Sequence, residues 1–446
     1  MRTWIGCVAM AAVLAGCGKG DGASAGTTGA TTGGDPAAAN KVEVVAFQGG
    51  YGIDFYQQAA KEFGSQHKLE IKVDGSPKVW EQLQPRFVSG DVPDLAFPGW
   101  GFDHWKAAYE GQLMDLTSVM DEPAGDGKGR WRDNFMPAIL KLGEYNGKQY
   151  VLPYYVSVEG WWYNPKLFQQ NGWQVPKTYE ELLALCEKIK AKGIAPITFQ
   201  GQYPDYMLEG FLVPWILSAG GNQALDDCQA LKAGAWKSPA VLTAAKLVAD
   251  LRSRGYFQQG ATGMNHTQSQ TEFVQGRAAM IPCGSWLYAE MKDKMPEGAE
   301  MEFMLVPGLE RGMGDKSAVG IRIEPWMIPA KAKNPKQGIE LFKYMTTPDK
   351  ARQFVEEKGT LMAIQGSASA KLPKHLLAAA QAFTTSKAVW SAEYRSWYKD
   401  FNKELEGAMA SLLSGELTPE GFCERVEKAA QAARDDEDIV KRTYVR

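Results

Sequence analysis

Residues 41–75 read KVEVVAFQGGYGIDFYQQAAKEFGSQHKLEIKVDG, and this stretch decides the fold class. Its first seven residues are mostly β-branched or apolar and predict a strand. In the middle, Phe55, Ala59 and Phe63 recur every four residues, which predicts a helix that ends at Gly64. The last part, KLEIKVDG, alternates apolar and polar residues and predicts a second strand. A strand, a helix and a strand in this order form a βαβ unit, so we expect a parallel sheet with a right-handed crossover.

The same alternation of helix and strand returns further along the chain. The stretch TYEELLALCEKIKAKG places Thr178 and Glu181 at capping-box spacing and predicts a helix, and IAPITF at 194–199 predicts the strand that follows it. Further helical patterns cover residues 240–254, 337–346 and 372–440. Two α/β lobes are the simplest architecture for this pattern, and ligands of such sheets bind at the carboxyl ends of the strands.

The first forty residues differ from the rest of the chain in composition. Arg2 precedes the apolar run WIGCVAMAAVLAG, which is too short to cross a bilayer but fits a signal peptide. The run ends in Leu-Ala-Gly-Cys, which resembles a bacterial lipobox, so we predict a signal peptide over residues 1–17 and a lipid on Cys17. An ordinary signal peptide with an incidental cysteine is the alternative. Residues 18–40 are mostly Gly, Ala, Thr and Ser and predict a flexible linker. We therefore expect an extracytoplasmic protein, lipid-anchored to a bacterial membrane at the cell surface or in the periplasm.

Composition and motifs exclude several classes of protein. The 446-residue chain has a formal net charge of −3, which provides no basic surface for nucleic acid. Its four histidines are not at metal-ligand spacing, and we find no G-x-S-x-G or G-x-x-x-x-G-K-[ST] motif in the sequence. Serine-hydrolase and nucleotide-hydrolysis functions therefore lack their usual motifs, whereas an acid/base pair among the 52 carboxylates stays open. We predict no catalytic residue, no cofactor and no metal. An extracytoplasmic location permits a disulfide among four scattered cysteines, and buried thiols are the alternative. These cysteines are Cys186, Cys228, Cys283 and Cys423.

Aromatic residues next to charged or amide side chains occupy the segments between the predicted elements. A sugar ring stacks its apolar face on an indole and presents its hydroxyls to carboxylates, amides and arginines, so such a set is typical of a sugar-binding cleft. The candidate ligand-binding residues are Gln48, Tyr51, Trp100, Asp103, Asp205, Tyr206, Trp286, Arg322, Trp326 and Trp397. Packing in the core is the alternative for each of the aromatic residues taken alone.

Residues 153–164, PYYVSVEGWWYN, predict a strand that carries two adjacent tryptophans. Side chains alternate along a strand, so Val158 and Trp162 share one face while Glu159 and Trp161 share the other. We assign Trp162 to packing, and Glu159 with Trp161 to the ligand cleft. A one-residue bulge would exchange these roles.

A series of stretches over residues 41–435 resembles the extracellular solute-binding proteins of ABC importers for carbohydrates. In order, they include DFYQQAAKEF, SGDVPDLAF, GQLMDLT, YNGKQYVLPYY, FVQGRAAMIPCGSW, LFKYMTTPDKARQFV and LLSGELTPEGF. The segments WGFDHW, PDY and GSW are similar to those of the maltose-binding type. This resemblance implies sugar contacts at Trp100, Asp103, Tyr206 and Trp286. The segment EYRSWY resembles the late tryptophan segment of that type, which implies a contact at Trp397, with Tyr394 as the alternative.

The passage from WWYNPKLFQQNGW to GQYPDYML is more similar to binding proteins for N-acetylglucosamine and chitobiose. Two positions depart from the maltose-binding type. His104 stands where that type has an arginine, and VEGWWYN is two residues shorter than the corresponding strand, so Glu159 does not match its ligand glutamate directly. The resemblance therefore implies a sugar ligand without specifying which sugar.

The resemblance implies a type II periplasmic-binding-protein fold, in which hinge-linked lobes close on a ligand. The implied first lobe comprises residues 41–153 and 322–347, and the second comprises residues 154–321 and 348–446. The expected partners are a small carbohydrate and the ABC permease subunits in the membrane, with ATP hydrolysed by a separate subunit. The chain itself is expected to be a monomer and not an enzyme. A secreted carbohydrate-active enzyme, a binding protein of the same fold for a non-sugar solute, and a binding protein that serves only a sensor are the alternatives.

Overall fold

The structure is a computed structural model and describes residues 40–315, 318–368, 371–386 and 389–442. The strands are β1 Lys41–Phe47, β2 Glu70–Ser76, β3 Leu95–Phe97, β4 Glu144–Tyr145, β5 Lys148–Gln149, β6 Leu152–Val158, β7 Trp161–Tyr163, β8 Ala195–Ile197, β9 Ala278–Pro282, β10 Glu302–Met304, β11 Val319–Trp326, β12 Leu361–Met362 and β13 Val389–Trp390. The helices are α1 Asp54–His67, α2 Val79–Ser89, α3 His104–Tyr109, α4 Pro137–Leu140, α5 Pro165–Asn171, α6 Tyr179–Lys190, α7 Asp205–Met207, α8 Val213–Gln229, α9 Pro239–Ser253, α10 His266–Val274, α11 Leu287–Met291, α12 Pro335–Met345, α13 Pro348–Lys358, α14 Leu377–Thr385, α15 Tyr394–Trp397, α16 Lys399–Ser414 and α17 Pro419–Asp435. A π-helical turn, Leu208–Leu212, joins α7 to α8.

The first sheet confirms the βαβ unit predicted from residues 41–75. β1 lies between β2 and β3, and both pairings are parallel. The prediction that Gly64 ends the helix is wrong, because α1 continues to His67 and ends at Lys68, whose φ is 58°. A Cβ at Gly64 would lie 2.7 Å from the Leu69 carbonyl oxygen. Gly64 therefore permits a close approach of helix and strand inside the element rather than terminating it.

The second sheet has the strand order β10-β7-β9-β8. β7 is antiparallel to both of its neighbours, whereas β8 and β9 are parallel. The predicted capping box at the start of α6 is confirmed. The Glu181 N–H donates to Thr178 Oγ1 over 3.2 Å, and the Glu181 carboxylate accepts from the Thr178 N–H over 3.4 Å. The cap fixes where α6 starts, and α6 packs beside β8.

The third sheet contains the long strands that run between the lobes. Its order is β12-β6-β11-β13, with β6 and β11 antiparallel to each other. The register of this pair shifts between Ile323 and Pro325. Such an irregularity bends a strand locally.

Apolar side chains form two large cores and one small core. The first core surrounds α1, α12 and α13 and continues along β6 and β11. The second core lies among α6, α8, α9, α16 and α17. The small core lies beneath α2 and α3. Helices packed on these sheets give the predicted two-lobed α/β architecture.

The bounds of the two lobes stay predictions, and the packing favours one change to them. The sequence-based bounds put residues 348–446 in the second lobe. In the structure, the ring of Phe354 in α13 lies 5.0 Å from that of Phe55 in α1, and an ion pair joins the same two helices. We therefore propose that the first lobe contains residues 322–358 rather than 322–347.

Residues 1–39 lie outside the described part of the chain, so the signal peptide, Cys17 and the linker before Asn40 stay predictions. Among the described residues, no helix is both long and apolar enough to cross a bilayer. The four scattered cysteines are free, buried thiols: Cys186, Cys228, Cys283 and Cys423. The structure therefore agrees with the thiol alternative and not with a disulfide among these four.

Candidate functional site

The candidate site is built around Arg322, a residue of β11 that pairs with Ser157 of β6. Its Nε lies 2.7 Å from the nearer carboxylate oxygen of Glu159, and its Nη2 lies 3.7 Å from Asp205 Oδ2. The guanidinium also forms an ion pair with Glu209. Arg322 therefore joins the long strands to the segment that begins with α7.

A second arginine completes the arrangement from the C-terminal third of the chain. Nη1 of Arg395, in α15, donates to Glu209 Oε1 over 2.7 Å, and Nη2 donates to Asp205 Oδ2 over 3.0 Å. Glu209 lies in the π-helical turn, an element that is frequent at functional sites. We call the five residues Glu159, Asp205, Glu209, Arg322 and Arg395 the ion cluster. None of the five side chains is more than 19% exposed, so each charge depends on its partners for stabilisation.

Three carboxyl groups in or beside the ion cluster have shifted pKa values: those of Glu159 and Glu324 are raised, and that of Glu209 is lowered. Burial raises the pKa of Glu159 to about 8, although the neighbouring Arg322 acts against this rise. Burial also tends to raise the pKa of Glu209, but the charges of Arg322 and Arg395 outweigh it and hold that pKa below its ordinary value. Farther along β11, burial raises the pKa of Glu324 to about 7. Of these three carboxyl groups, Glu209 is held in the ionised form, whereas Glu159 and Glu324 titrate near neutral pH.

Two aromatic rings pack against the guanidinium of Arg322. Its Cζ lies 5.3 Å from the ring centroid of Trp286 and 6.0 Å from that of Tyr206, distances at which cation–π attraction acts. The two rings are 6.1 Å apart and inclined by 66°. Both side chains are only partly buried, so they present apolar ring surface beside a charged cluster.

The first lobe contributes a pair of packed tryptophans, one exposed and one partly buried. Trp100 is 63% exposed, and its ring lies 4.6 Å from that of Trp80. A Cβ at Gly101 would lie 2.3 Å from the Trp80 ring, so only glycine allows this packing. Asp103 caps α3 by accepting the Lys106 N–H over 3.0 Å. The carboxylate of Asp103 therefore has a structural role, whereas Trp100 is open to solvent.

The loop after β1 contains the candidates Gln48 and Tyr51. Gln48 is exposed, and its backbone N–H donates to the Ser76 carbonyl oxygen over 3.0 Å. Tyr51 is buried with its ring 5.2 Å from that of Tyr155, and burial raises its pKa. Among the described residues the buried Tyr51 hydroxyl forms no hydrogen bond of good geometry, although the Thr360 and Ser285 side chains act on it.

Trp397 rather than Tyr394 is placed like a ligand residue. Trp397 is partly buried and borders all three apolar cores, so it lies where the lobes meet. Tyr394 is fully buried, with its ring 5.9 Å from that of Trp236. Tyr394 is therefore a core residue.

The assignment of Trp161 to the ligand cleft is wrong. Its side chain is fully buried in the second core, where its indole N–H donates to the Gly210 carbonyl oxygen over 2.7 Å. Trp162 is packed as predicted, but on the opposite face, in the first core. The alternation is correct, yet both faces of β7 are covered by apolar layers. Glu159 lies outside both β6 and β7, and for this reason it does not follow the alternation of Trp161.

The assignment of Trp326 to the ligand set is also wrong. Its ring is fully buried in the first core, 5.3 Å from Phe97, 5.0 Å from Tyr56 and 5.4 Å from Phe342. β11 leaves the site after Arg322 and enters this core, so its last residue packs among aromatic rings.

Three residues of the site are absent from the candidates: Glu209, Arg395 and Trp80. Arg395 lies close to the candidate Trp397 in sequence, which is a weak local signal, whereas Trp80 lies in α2, far from Trp100 along the chain. Glu209 pairs with Arg322 across 113 residues of sequence, so no local pattern could identify it. Among the described residues, no group of His, Cys, Asp and Glu side chains could hold a metal ion.

The fold and the site define a two-lobed solute-binding protein. Residues 49–352 match the family described as bacterial extracellular solute-binding protein. Because this match covers more than half of the chain, the chain belongs to that family.

Similar proteins support the same architecture. The Diacetylchitobiose binding protein NgcE of Streptomyces coelicolor is 27% identical over 417 residues, which cover 91% of this chain and 87% of that protein. The Multiple sugar-binding protein of Streptococcus mutans is 26% identical over 345 residues, which cover 75% of this chain and 77% of that protein. A solved chitin oligosaccharide binding protein has a TM-score of 0.70 at 23% identity, over 85% of this chain and 94% of that one. RafE, solved in complex with raffinose, also has a TM-score of 0.70 at 23% identity, over 88% and 99% of the two chains. The structural matches confirm the predicted fold class.

Proposed function

We propose that this chain is the substrate-binding subunit of an ABC importer and that it captures a monosaccharide or a short oligosaccharide. The observation that carries the proposal is the pair Trp286 and Tyr206, held by Arg322 of the ion cluster. Partly exposed rings beside buried polar groups suit a ligand with apolar ring faces and a rim of hydroxyls. Trp100 and Trp397 supply further ring surface from the first lobe and from the junction of the lobes.

The charges of the ion cluster support a neutral solute over an anionic one. Both arginines are already paired with carboxylates, whereas a phosphate ester needs a free guanidinium or a helix N-terminus. Diacetylchitobiose is the first ligand to test, because the alignment with the Diacetylchitobiose binding protein NgcE covers 91% of this chain.

Calorimetric titration of the purified protein with diacetylchitobiose, raffinose and maltose tests the proposal. We expect saturable heat with at least one of these neutral sugars and recovery of the sugar intact by mass spectrometry. Heat with a polyamine or a phosphate ester but with no neutral sugar would refute the sugar assignment. Cleavage of the bound sugar would instead indicate an enzyme.

The Trp286→Ala and Trp100→Ala variants test the aromatic surfaces directly. Loss of ring stacking worth about 2 kcal/mol weakens sugar binding roughly 30-fold for Trp286→Ala, and we expect about 10-fold for Trp100→Ala. Tyr109→Ala is the matched control, because Tyr109 is 60% exposed and lies in the same lobe as Trp100. Equal affinities for Trp100→Ala and Tyr109→Ala would remove Trp100 from the binding surface.

We also propose that a lipid on Cys17 anchors the mature protein outside the cytoplasm, that the protein is a monomer, and that it delivers the sugar to a membrane permease. The lipobox-like sequence before Cys17 and the Gly-rich linker support the anchor. Mass spectrometry of the protein extracted from membranes tests this part: a diacylated N-terminal cysteine supports it, and an unmodified N-terminus contradicts it.

A further inference from the structure

Arg442 contacts both lobes at once. Its guanidinium Cζ lies 4.9 Å from the ring centroid of Trp105 and 4.4 Å from that of Tyr145, and both rings belong to or border the small core of the first lobe. Its backbone N–H donates to the hydroxyl of Tyr398 over 2.8 Å. Tyr398 belongs to the second core, so one residue reaches across the junction of the lobes.

A second contact joins the same two segments. The indole N–H of Trp105 donates to Ser396 Oγ over 3.1 Å. Ser396 and Tyr398 are the immediate neighbours of Trp397, the residue that borders all three cores. The side chains of the residues on both sides of Trp397 are therefore tied, directly or through Arg442, to Trp105 of the first lobe.

The surroundings of Arg442 favour a planar cation. The guanidinium lies near two aromatic rings, an arrangement in which arginine stacks better than lysine because its charge is delocalised over a plane. The neighbouring His104 is partly buried, and its desolvation together with the charges of Lys399 and Arg442 lowers its pKa to about 3. His104 is therefore neutral at pH 7 and does not repel the guanidinium.

We propose that Arg442 is a positioning residue for solute capture: it fastens the Ser396–Tyr398 segment to the first lobe and so fixes the orientation of Trp397 between the lobes. The fastening depends only on contacts within the protein. Its effect on affinity rests on the proposed function, because Trp397 then contacts the sugar.

The fastening is tested without any ligand, by the exchange of the Trp105 indole proton with solvent in nitrogen-15 NMR. We expect Arg442→Ala to speed this exchange at least about tenfold, because the bond to Ser396 loses its support. Arg425→Ala is the matched control. Arg425 lies in α17, and its ion pair with Glu404 of α16, at 3.4 Å, stays within the second lobe. An unchanged exchange rate in Arg442→Ala would overturn the fastening.

The effect on capture is tested by titration of the same variants with diacetylchitobiose. We expect Arg442→Ala to bind about 3- to 30-fold more weakly, the range of a partly buried cation–π contact, and Arg442→Lys to recover part of the loss. The melting temperatures of Arg442→Ala and Arg425→Ala should be close to each other. A purely structural role of Arg442 would instead lower the stability of Arg442→Ala and leave the affinity of the folded protein unchanged. Faster exchange with unchanged affinity would overturn the role in capture. If the wild type binds no sugar, the proposed function and the role of Arg442 in capture fail together. The exchange measurement still shows whether Arg442 holds the Ser396–Tyr398 segment against the first lobe.

Discussion

Two residues of β11 lie in opposite environments. Trp326, at the end of the strand, is fully buried among the aromatic rings of the first core. Arg322, in the middle of the strand, lies in the ion cluster and packs against Trp286. The register shift between Ile323 and Pro325 separates the two. One strand thus joins an apolar anchor in the first lobe to the polar face of the candidate site.

The difference shows how a single strand can serve stability and binding separately. At Trp326, the side chain contributes through buried area, which is insensitive to pH and to solute. At Arg322, each charge is stabilised by its partners, so removal of one group alters all the others. We therefore expect substitutions along β11 to shift from effects on unfolding to effects on binding and pH dependence.

Trp326→Ala should have the largest effect on stability. It removes a fully buried indole and leaves a cavity, so we expect the free energy of unfolding to fall by about 4 kcal/mol. Urea denaturation measures the loss, and Trp326→Phe should recover more than half of it. A loss of less than about 1 kcal/mol in Trp326→Ala would contradict the role of this residue as an anchor.

Arg322→Ala should affect both stability and binding. Loss of the guanidinium leaves Glu159 and Glu209 buried beside one fewer cation, and we expect a loss of about 3 kcal/mol in the free energy of unfolding. Sugar binding should also weaken, because Trp286 and Tyr206 lose the group on which they pack. The double variant Arg322→Ala/Glu209→Gln should be more stable than Arg322→Ala, since it removes a buried carboxylate that has lost one of its two arginine partners. Equal stability of the two variants would show that Glu209 does not depend on Arg322.

Glu324→Gln, near the register shift, should have the smallest effect, and one that depends on pH. Burial raises the pKa of Glu324 from 4.5 to about 7, so the folded state favours the protonated carboxyl. The stability that this group contributes is complete below pH 4.5 and is lost as the pH rises through about 7. Glutamine does not ionise, so Glu324→Gln should gain about 2.5 kcal/mol relative to the wild type between pH 5 and pH 8. Denaturation at both pH values measures this gain, and parallel curves for the two proteins would exclude the titration of Glu324.

Local sequence patterns predicted the elements of the fold well. The βαβ unit of residues 41–75 and the capping box at Thr178 depend on residues close in sequence, and both occur as expected. The aromatic residues that follow strands, such as Trp100 and Trp286, are partly or largely exposed, as the proposed ligand surface requires. Whether they contact a solute stays a prediction.

The tertiary surroundings of a side chain could not be predicted from the same patterns. The alternation in the strand separated Trp161 from Trp162 correctly, but it could not reveal that apolar layers cover both faces of β7. Trp326 has the same local signature as a cleft residue and lies in a core. The ion cluster joins Glu209 to Arg322 across 113 residues of sequence, and such pairs exist only once the chain has folded.

The four buried thiols have a consequence for how the chain reaches its folded state outside the cytoplasm. In the native structure Cys186, Cys228, Cys283 and Cys423 are all free, and burial raises the pKa of Cys283 well above its ordinary value, so little of the reactive thiolate forms. The unfolded chain lacks that protection, and an oxidising compartment promotes disulfides. Any disulfide formed among these four before they are buried is non-native and must be reduced or exchanged. Folding around these four cysteines therefore competes with their oxidation.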